Sequence, residues 1–370
     1  MNSPIRVLVV DDSALMRKLI PQILENDKCI QVAGTAMDGS FGLKKILELK
    51  PQVVTLDLEM PGMSGIDTLK EIIRRHHLPV IVVSSHSTQG ASITLQALGL
   101  GAFDFVAKPQ DVFARMPEIA EELIAKIKAA AESNGVRINT PPKELRRTDK
   151  SPLASQTAPT RVVAIGISTG GPNALQYMLA QLPADFPGTL VIVQHMPDGF
   201  TEMFARRLDE TCALQVKEAQ SGDLLLAGRA LICPGNRHMK VKRLPLGDVA
   251  VLNDEERVNG HRPSADVLFR SLAAEFGPRG MALLMTGMGD DGAEGMGAVK
   301  AAGGMTIAQS KDSCVVFGMP KAAIDRGYAA RVVTLEVLAN TLQAQCAPDR
   351  GRGQTRPEGD DSGKAAGAGD

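Results

Sequence analysis

Aromatic residues and an excess of either charge are the first things this sequence lacks. Among 370 residues there are no Trp, two Tyr and ten Phe, and 41 Lys plus Arg nearly balance 42 Asp plus Glu, for a net charge of −1. Proteins that bind RNA or single strands stack bases on aromatic rings, and most nucleic-acid binders carry a basic excess. These two absences argue against a nucleic-acid partner.

Long apolar runs and paired cysteines are absent as well. The first apolar run, Ile5 to Val10, is broken at once by Asp11 and Asp12, and no stretch approaches the roughly 18 apolar residues of a membrane span. The five cysteines are scattered without a Cys-x-x-Cys spacing, which argues against a disulfide framework or a structural zinc site. We therefore expect a cytoplasmic protein with no membrane insertion.

The remaining composition is that of a folded protein, with 44% apolar and 22% charged residues. At roughly 150 residues per domain, the length suggests two domains. In the first, residues 1–132, short β-branched runs alternate with amphipathic helical patterns, which predicts a doubly wound parallel (βα)5 sheet. The predicted strands are Ile5–Val10, Ile30–Gly34, Val53–Asp57, Val80–Ser84 and Phe103–Ala107.

A second α/β unit is predicted over residues 161–346. Residues 133–160 are polar and Pro-containing, which is typical of an interdomain linker. The second alternation of strands and helices then begins, and its middle, from Gln215 to Asn259, is rich in short strands and turns, so we expect a parallel sheet with a β-rich insertion. The tail, residues 347–370, has almost nothing apolar and is predicted to be disordered.

Acidic or polar side chains end three of the five predicted strands in the first unit, and a Lys follows the fifth. Asp11 and Asp12 end the first strand, Asp57 the third and Ser84 the fourth, and Lys108 follows the fifth. The carboxyl ends of parallel strands share one edge of a sheet. Three carboxylates there suit Mg²⁺, and the hydroxyl and ammonium could hold a phosphoryl group on Asp57. Taken singly, each Asp could instead be a helix N-cap, but the combination of five disfavours that alternative.

The second unit places a Gly-rich turn between a strand and a helix. In Gly166-Ile-Ser168-Thr-Gly170-Gly171, a serine on a sharp turn is lifted clear of the sheet, and the glycines let backbone N–H groups approach an oxyanion. The same turn could equally bind a phosphate at a helix N-terminus. The turn alone therefore leaves a nucleophile and a phosphate site as open alternatives.

Neighbouring strand ends supply a base and an acid. His195 ends the next strand, and only His195, His238 and His261 are available as a base in this unit, while a third strand runs into Asp290 and Asp291. Ser, His and Asp together make a nucleophile, a general base and an orienting acid. Their order along the chain differs from the Ser…Asp…His order of α/β-hydrolases, which favours a separate fold.

The first unit resembles the receiver domains of two-component response regulators. The resemblance covers about residues 5–125 and rests on Val-Val-Asp11-Asp12-Ser, Leu-Asp57-Leu-Glu-Met-Pro-Gly, Val-Ser84-Ser and Ala-Lys108-Pro. It implies that Asp57 accepts phosphate from a histidine kinase and that Asp11, Asp12 and Asp57 hold Mg²⁺. It further implies that Ser84, where the family more often has Thr, and Lys108 sense the phosphoryl group.

The second unit resembles the catalytic domain of chemotaxis protein-glutamate methylesterases, over roughly residues 161–345. The matching motifs are Gly-Ile-Ser168-Thr-Gly-Gly-Pro, Gln-His195-Met-Pro, Arg262-Pro-Ser-Ala-Asp266, Gly-Met288-Gly-Asp-Asp291-Gly and Cys314-Val-Val-Phe-Gly-Met-Pro. The resemblance selects Asp291 over Asp290 as the triad acid and assigns the Met288 backbone to the oxyanion hole. It implies cofactor-free hydrolysis of glutamate methyl esters, and deamidation of glutamines, on chemoreceptors.

Two other functions remain as alternatives at this point. The second unit could be a binding module whose Gly-rich turn holds a nucleotide while the receiver gates it. The chain could also be a transcription regulator, which is common among receiver proteins, although it has no basic recognition helix.

Overall fold

The computed structural model describes residues 3–85, 87–108, 112–133 and 157–348, without the side chains of 112–118. Its first unit is a five-stranded parallel sheet in the order β2-β1-β3-β4-β5. The predicted doubly wound (βα)5 architecture is confirmed. Its elements are β1 Ile5–Val10, α1 Ala14–Leu24, β2 Ile30–Ala36, α2 Gly39–Leu49, β3 Val53–Leu56, α3 Gly65–Glu71 with a π-helical turn Ile72–His76, β4 Val80–Ser84, α4 Thr88–Gly99, β5 Asp104–Ala107 and α5 Val112–Glu132.

The second unit is built on a seven-stranded parallel sheet in the order β14-β13-β12-β6-β7-β9-β8. A second α/β parallel sheet was predicted, and it is confirmed. Its elements are β6 Val162–Ile167, α6 Gly171–Leu179, β7 Thr189–Gln194, α7 Phe200–Thr211, β8 Gln215–Glu218, β9 Arg229–Ile232, β10 His238–Lys242, β11 Val249–Asn253, α8 Ala265–Phe276, β12 Gly280–Leu284, α9 Ala293–Ala301, β13 Met305–Gln309, α10 Met319–Asp325, β14 Arg331–Val333 and α11 Leu335–Cys346.

The β-rich portion is smaller than the sequence suggested. Its first two strands, β8 and β9, pair in parallel and extend the main sheet beyond β7. The next two strands, β10 and β11, form a separate antiparallel hairpin. Short apolar runs between turns look alike whether they join a large sheet or a hairpin, so their pattern could not separate the two arrangements.

One of three clusters of buried apolar side chains spans both units. A single cluster of buried side chains runs from Leu98 and Phe105 in the first unit to Leu175 and Phe200 in the second. The rings of Phe105 and Phe200 stack with centroids 4.9 Å apart. At the same surface, the Asn173 side-chain amide donates a hydrogen bond of 3.0 Å to the Leu98 carbonyl. Helix α4 therefore lies against the start of α6, and β5 lies against the start of α7.

The structure also describes all five cysteines and the length and polarity of the helices. None of the five cysteines forms a disulfide; Cys29 is exposed and the other four are buried. Across the parts of the chain that the structure describes, no helix combines the length and apolarity needed to cross a membrane. The predicted linker and tail fall almost entirely on residues 134–156 and 349–370, outside the described residues, so the domain boundaries stay predictions.

Candidate active site and phosphorylation pocket

The candidate nucleophile Ser168 and the candidate base His195 lie at neighbouring strand ends, because β6, which leads to Ser168, is paired with β7, which leads to His195. The chain adds β7 on one side of β6 and later returns to place β12 on the other. The Ser168 N–H donates to the Thr286 carbonyl after β12, and the His195 N–H donates to the Ile167 carbonyl, each over 3.0 Å. Ser168, His195 and the loop after β12 therefore meet at the carboxyl edge of the sheet, the usual position of sites in such folds.

The turn that carries Ser168 depends on glycine at two places. Gly170 has φ = 73°, a left-handed conformation that favours glycine, and the Gly171 N–H then donates to the Ser168 carbonyl over 2.7 Å. On the facing loop, a Cβ at Gly287 would lie 2.8 Å from the Ser168 Cβ. The half-buried Ser168 thus sits at the start of α6 with backbone packed closely against it.

His195 has one ring nitrogen on a carboxylate and the other without a partner. Its Nε2 lies 2.8 Å from the Asp291 Oδ2, and the two side chains are 9% and 0% exposed. Its Nδ1 is buried and has no hydrogen-bond partner among the described residues. Because an ionised carboxylate can only accept, Nε2 carries the proton, and the lone pair of Nδ1 remains available to take a proton.

The Asp291 carboxylate is held in its charged form by the start of α8. It accepts hydrogen bonds from the Ser264 hydroxyl (2.6 Å), the Ala265 N–H (2.7 Å) and the Asp266 N–H (3.3 Å). Burial alone would raise its pKa, but the hydrogen bonds from His195, Ser264 and Ala265 outweigh burial and hold the pKa of Asp291 well below its usual range.

Asp290 is placed quite differently from its neighbour. Its side chain is 57% exposed and pairs with Arg326 over 2.8 Å at the surface. The arrangement therefore favours Asp291 as the acid, the choice that the bare sequence left open. The catalytic roles of Ser168, His195 and Asp291 themselves stay predictions.

Met288, assigned to the oxyanion hole by resemblance, follows a rigid point of the loop. The Gly287 carbonyl accepts from the N–H groups of Gly318 (3.0 Å) and Met319 (2.9 Å), and the Gly287 N–H donates to Val316 over 3.0 Å. These bonds fix the half-buried Met288 one residue from the glycine that packs on Ser168. The oxyanion role of its N–H also stays a prediction.

In the first unit, the predicted pocket brings an ammonium onto two buried carboxylates. The Lys108 Nζ lies 2.6 Å from the Asp57 Oδ2 and 3.0 Å from the Asp11 Oδ2. Burial raises the pKa of Asp57 against the opposing effect of Lys108. Burial would lower the pKa of Lys108, but the charges of Asp57 and Asp11 outweigh burial and raise it.

The acidic residues of this pocket fit a divalent cation. Asp11, Asp12 and Asp57 each offer an oxygen, and these oxygens lie within 4.8 Å of one another. Asp11 and Asp57 are buried, whereas Asp12 is exposed. An all-oxygen donor set open to water on one side suits Mg²⁺, which keeps several of its waters when bound.

Ser84 belongs to the pocket edge, but its hydroxyl bonds elsewhere. The side chain is 1% exposed and donates to the Gly90 carbonyl on α4 over 3.2 Å. The structure therefore ties Ser84 to the first turns of α4 instead of to Asp57.

Comparisons with known proteins agree over nearly the whole chain. The profile of the CheB methylesterase family matches residues 163–342, and that of the response regulator receiver domain matches residues 7–119. A protein-glutamate methylesterase/protein-glutamine glutaminase of Koribacter versatilis is 63% identical, with 94% of this chain and 98% of that protein aligned. This chain belongs to the protein-glutamate methylesterase family.

Further relatives of the same family are more distant. A methylesterase/glutaminase of Symbiobacterium thermophilum is 46% identical over 92% of this chain and 96% of its own. The solved catalytic domain of Thermotoga maritima CheB methylesterase is 40% identical, covering 50% of this chain and 98% of that domain with a TM-score of 0.49. Because the chain belongs to this family, the two alternatives from the sequence, a nucleotide-binding module and a transcription regulator, are wrong.

Gln194 is a residue of the methylesterase site that sequence reasoning did not single out. Its Nε2 donates to the carbonyls of both Ser168 (3.1 Å) and His195 (3.2 Å), so one buried amide joins the backbones of nucleophile and base. Any side chain larger than that of glycine at position 171 would collide with the Gln194 Oε1. The one signal in the sequence was a polar residue at the end of an otherwise apolar strand, next to His195.

We expect the Gln194→Met variant to lose activity while keeping its fold. The change preserves side-chain length but leaves two carbonyls without their donor, a cost of about 1–3 kcal/mol, and a misplaced nucleophile can lower kcat by about 10²-fold. Methanol release and circular dichroism test this, with Gln215→Met at the half-buried start of β8, away from the site, as control. Equal activity of the two variants would contradict the positioning role of Gln194.

Proposed function

We propose that this chain is a phosphorylation-activated serine esterase that hydrolyses glutamate methyl esters on chemoreceptors and deamidates glutamines there. The observation that carries the proposal is the His195–Asp291 pair at 2.8 Å, next to a serine on a glycine-dependent turn. Family membership supplies the substrate class, since the relatives at 63% and 46% identity are methylesterases and glutaminases by name.

The chemistry follows from the free nitrogen of His195. The Ser168 Oγ attacks the side-chain carbonyl carbon as its proton passes to Nδ1, and Asp291 stabilises the imidazolium that forms. The developing oxyanion takes hydrogen bonds from backbone N–H groups, for which Met288 is our candidate. Collapse expels the methoxy group, which leaves as methanol with the proton from Nδ1; from glutamine the leaving group is ammonia.

Water completes the cycle. It attacks the acyl group on Ser168 while Nδ1 takes its proton, and the returning proton restores the serine hydroxyl as the free glutamate leaves. Asp291 stays ionised throughout because the hydrogen bonds that it accepts outweigh the cost of burying its negative charge. The same base therefore serves both half-reactions.

The acidic pocket is proposed as the phosphorylation site. An Asp57 oxygen takes the phosphoryl group from a phosphohistidine of a kinase, and the Lys108 ammonium, now on Asp57 and Asp11, is in reach of the new phosphoryl oxygens. Asp11, Asp12 and Asp57 would hold Mg²⁺, which when bound offsets the negative charge that gathers there.

The surface shared by the two units links this pocket to the esterase. Ser84 is bonded to Gly90 in α4, and α4 contacts α6 and α7, the helices that follow Ser168 and His195. When Ser84 turns toward the phosphoryl group, it releases Gly90. We infer that this weakens the α4 contact and uncovers the esterase edge for a bulky receptor helix, with a coupling of about 1–3 kcal/mol.

Replacing the nucleophile tests the chemistry. We expect Ser168→Ala to lower methanol release from methylated receptors by at least about 10⁴-fold, because the serine and its base act as one unit. Circular dichroism should be unchanged, since a half-buried hydroxyl is lost without a large cavity. Adding His195→Gln or Asp291→Asn to this variant should cost little more. Losses that add up across the three sites would disprove the triad.

Phosphorylation is tested with a small donor. Acetyl phosphate with Mg²⁺ should place one phosphoryl group on Asp57 and raise esterase activity, and chelation of Mg²⁺ should abolish uptake. Asp57→Asn should neither take up phosphate nor respond. Mass spectrometry of the intact protein gives the readout, and a phosphoryl group at another residue would refute the assignment.

The shared surface is tested by Asn173→Asp. The amide of Asn173 now donates to the Leu98 carbonyl, and a carboxylate at this position would be repelled by that carbonyl. The new negative charge lies in the first turn of α6, where it stabilises the helix. We expect the unphosphorylated variant to act on receptors about 5- to 100-fold faster than wild type, and the phosphorylated forms to be equal. Gln181→Glu is the control, since that amide bonds only within its own turn, to Tyr177. A folded variant with unchanged unphosphorylated activity would rule out inhibition through this contact.

A further inference from the structure

A two-residue hairpin before α8 reaches both the acid and the base of the site. Val258 and His261 exchange both backbone hydrogen bonds, over 3.0 and 2.9 Å. Between them, Asn259 and Gly260 have φ values of 53° and 76°, the left-handed pair that an Asn-Gly turn adopts most readily. The direction of the His261 side chain is therefore set by a rigid turn and not by a loose loop.

One side of this hairpin supports the acid. The Asn259 Nδ2 donates to the Asp266 Oδ2 over 2.8 Å and approaches the Asp291 Oδ1 at 3.4 Å. Asp266 in turn accepts from the Gly295 N–H over 2.6 Å. The turn is thereby anchored to α8 and α9, the elements that flank Asp291.

The other side of the hairpin covers the base. The His261 ring lies on the His195 ring with centroids 4.0 Å apart and planes at 9°, which is van der Waals contact between two stacked rings. A single hydrogen bond to Asp291 leaves an imidazole free to swing about that bond. A flat partner in contact with its face removes this freedom and keeps Nδ1 at a constant angle.

The charge state of His261 suits such a role. Burial and the neighbouring His195 lower the pKa of His261 to about 4. The other charged groups that act on it are Asp291 and Glu122, which raise the pKa, and Arg257, which lowers it. At neutral pH the ring is therefore uncharged, so it contacts His195 without opposing the imidazolium that forms there during catalysis.

We propose that His261 is a positioning residue for the general base: its ring, held by the Asn259-Gly260 turn, stacks on His195 and fixes the direction of Nδ1 toward Ser168. His261 transfers no proton and contacts no substrate atom. This inference rests on the proposed esterase mechanism and adds to it a requirement for a flat, uncharged side chain at position 261.

The test compares a flat with a non-flat replacement in the full-length, phosphorylated protein. His261→Phe keeps a flat ring that never titrates, whereas His261→Leu and His261→Gln remove the stack. We expect the Leu and Gln variants to lose about 10- to 100-fold in kcat with KM changed by less than about twofold. The Phe variant should keep kcat within about threefold of wild type, with the same shape of kcat/KM profile between about pH 6 and pH 9.

Each other result would overturn the inference. A Phe variant as slow as the Leu variant would mean that the imidazole itself takes part in the chemistry. A rise in KM with unchanged kcat would mean contact with substrate, and full activity of the Leu and Gln variants would mean that stacking has no effect. Loss of circular dichroism in the Leu variant leaves the comparison of Gln with Phe to decide. Wild-type protein that releases no methanol from methylated receptors would instead refute the proposed function, whatever residue 261 is.

Discussion

A buried negative charge on Asp291 is the constraint around which the esterase site is arranged. An isolated carboxylate in the interior would be neutralised by a proton, yet this one keeps its charge because Ser264, Ala265 and Asp266 turn their donors toward it. Its hydrogen bond with His195 fixes which nitrogen of that ring carries the proton. The donors at the start of α8 therefore keep Asp291 charged. The charged Asp291 sets the tautomer of His195, and that tautomer leaves Nδ1 available as the base.

The parts of this protein that the sequence predicted well are those set by repeated local patterns. Alternating apolar runs and amphipathic helices are visible without tertiary information, and in a parallel sheet they place the residues that end β1, β3 and β5 on one edge. Asp57 and Lys108 accordingly lie 2.6 Å apart across 51 positions of sequence. The resemblance to methylesterases also pointed to Asp291, whose partners in the structure differ from those of Asp290, and its catalytic role stays a prediction.

Other features depend on contacts between segments that no local pattern records. Strands β8 and β9 have the same appearance as β10 and β11, and only pairing with β7 separates the two sets. Gln194 matters because its amide reaches two carbonyls, and His261 because a turn brings its ring onto His195. The hydroxyl of Ser84 could have faced either Asp57 or α4, and the choice of Gly90 reflects packing across the first unit.

The distribution of the cysteines allows a thiol-reactive dye to be attached to this molecule at a single position. Cys212, Cys233, Cys314 and Cys346 are buried, and burial raises the pKa of Cys314 to about 12 and that of Cys346 to about 11. A maleimide dye would therefore attach at Cys29, in the turn before β2, at the opposite edge of the sheet from Asp57. If phosphorylation separates the two units, the fluorescence anisotropy of that dye would fall in real time, without any engineered residue.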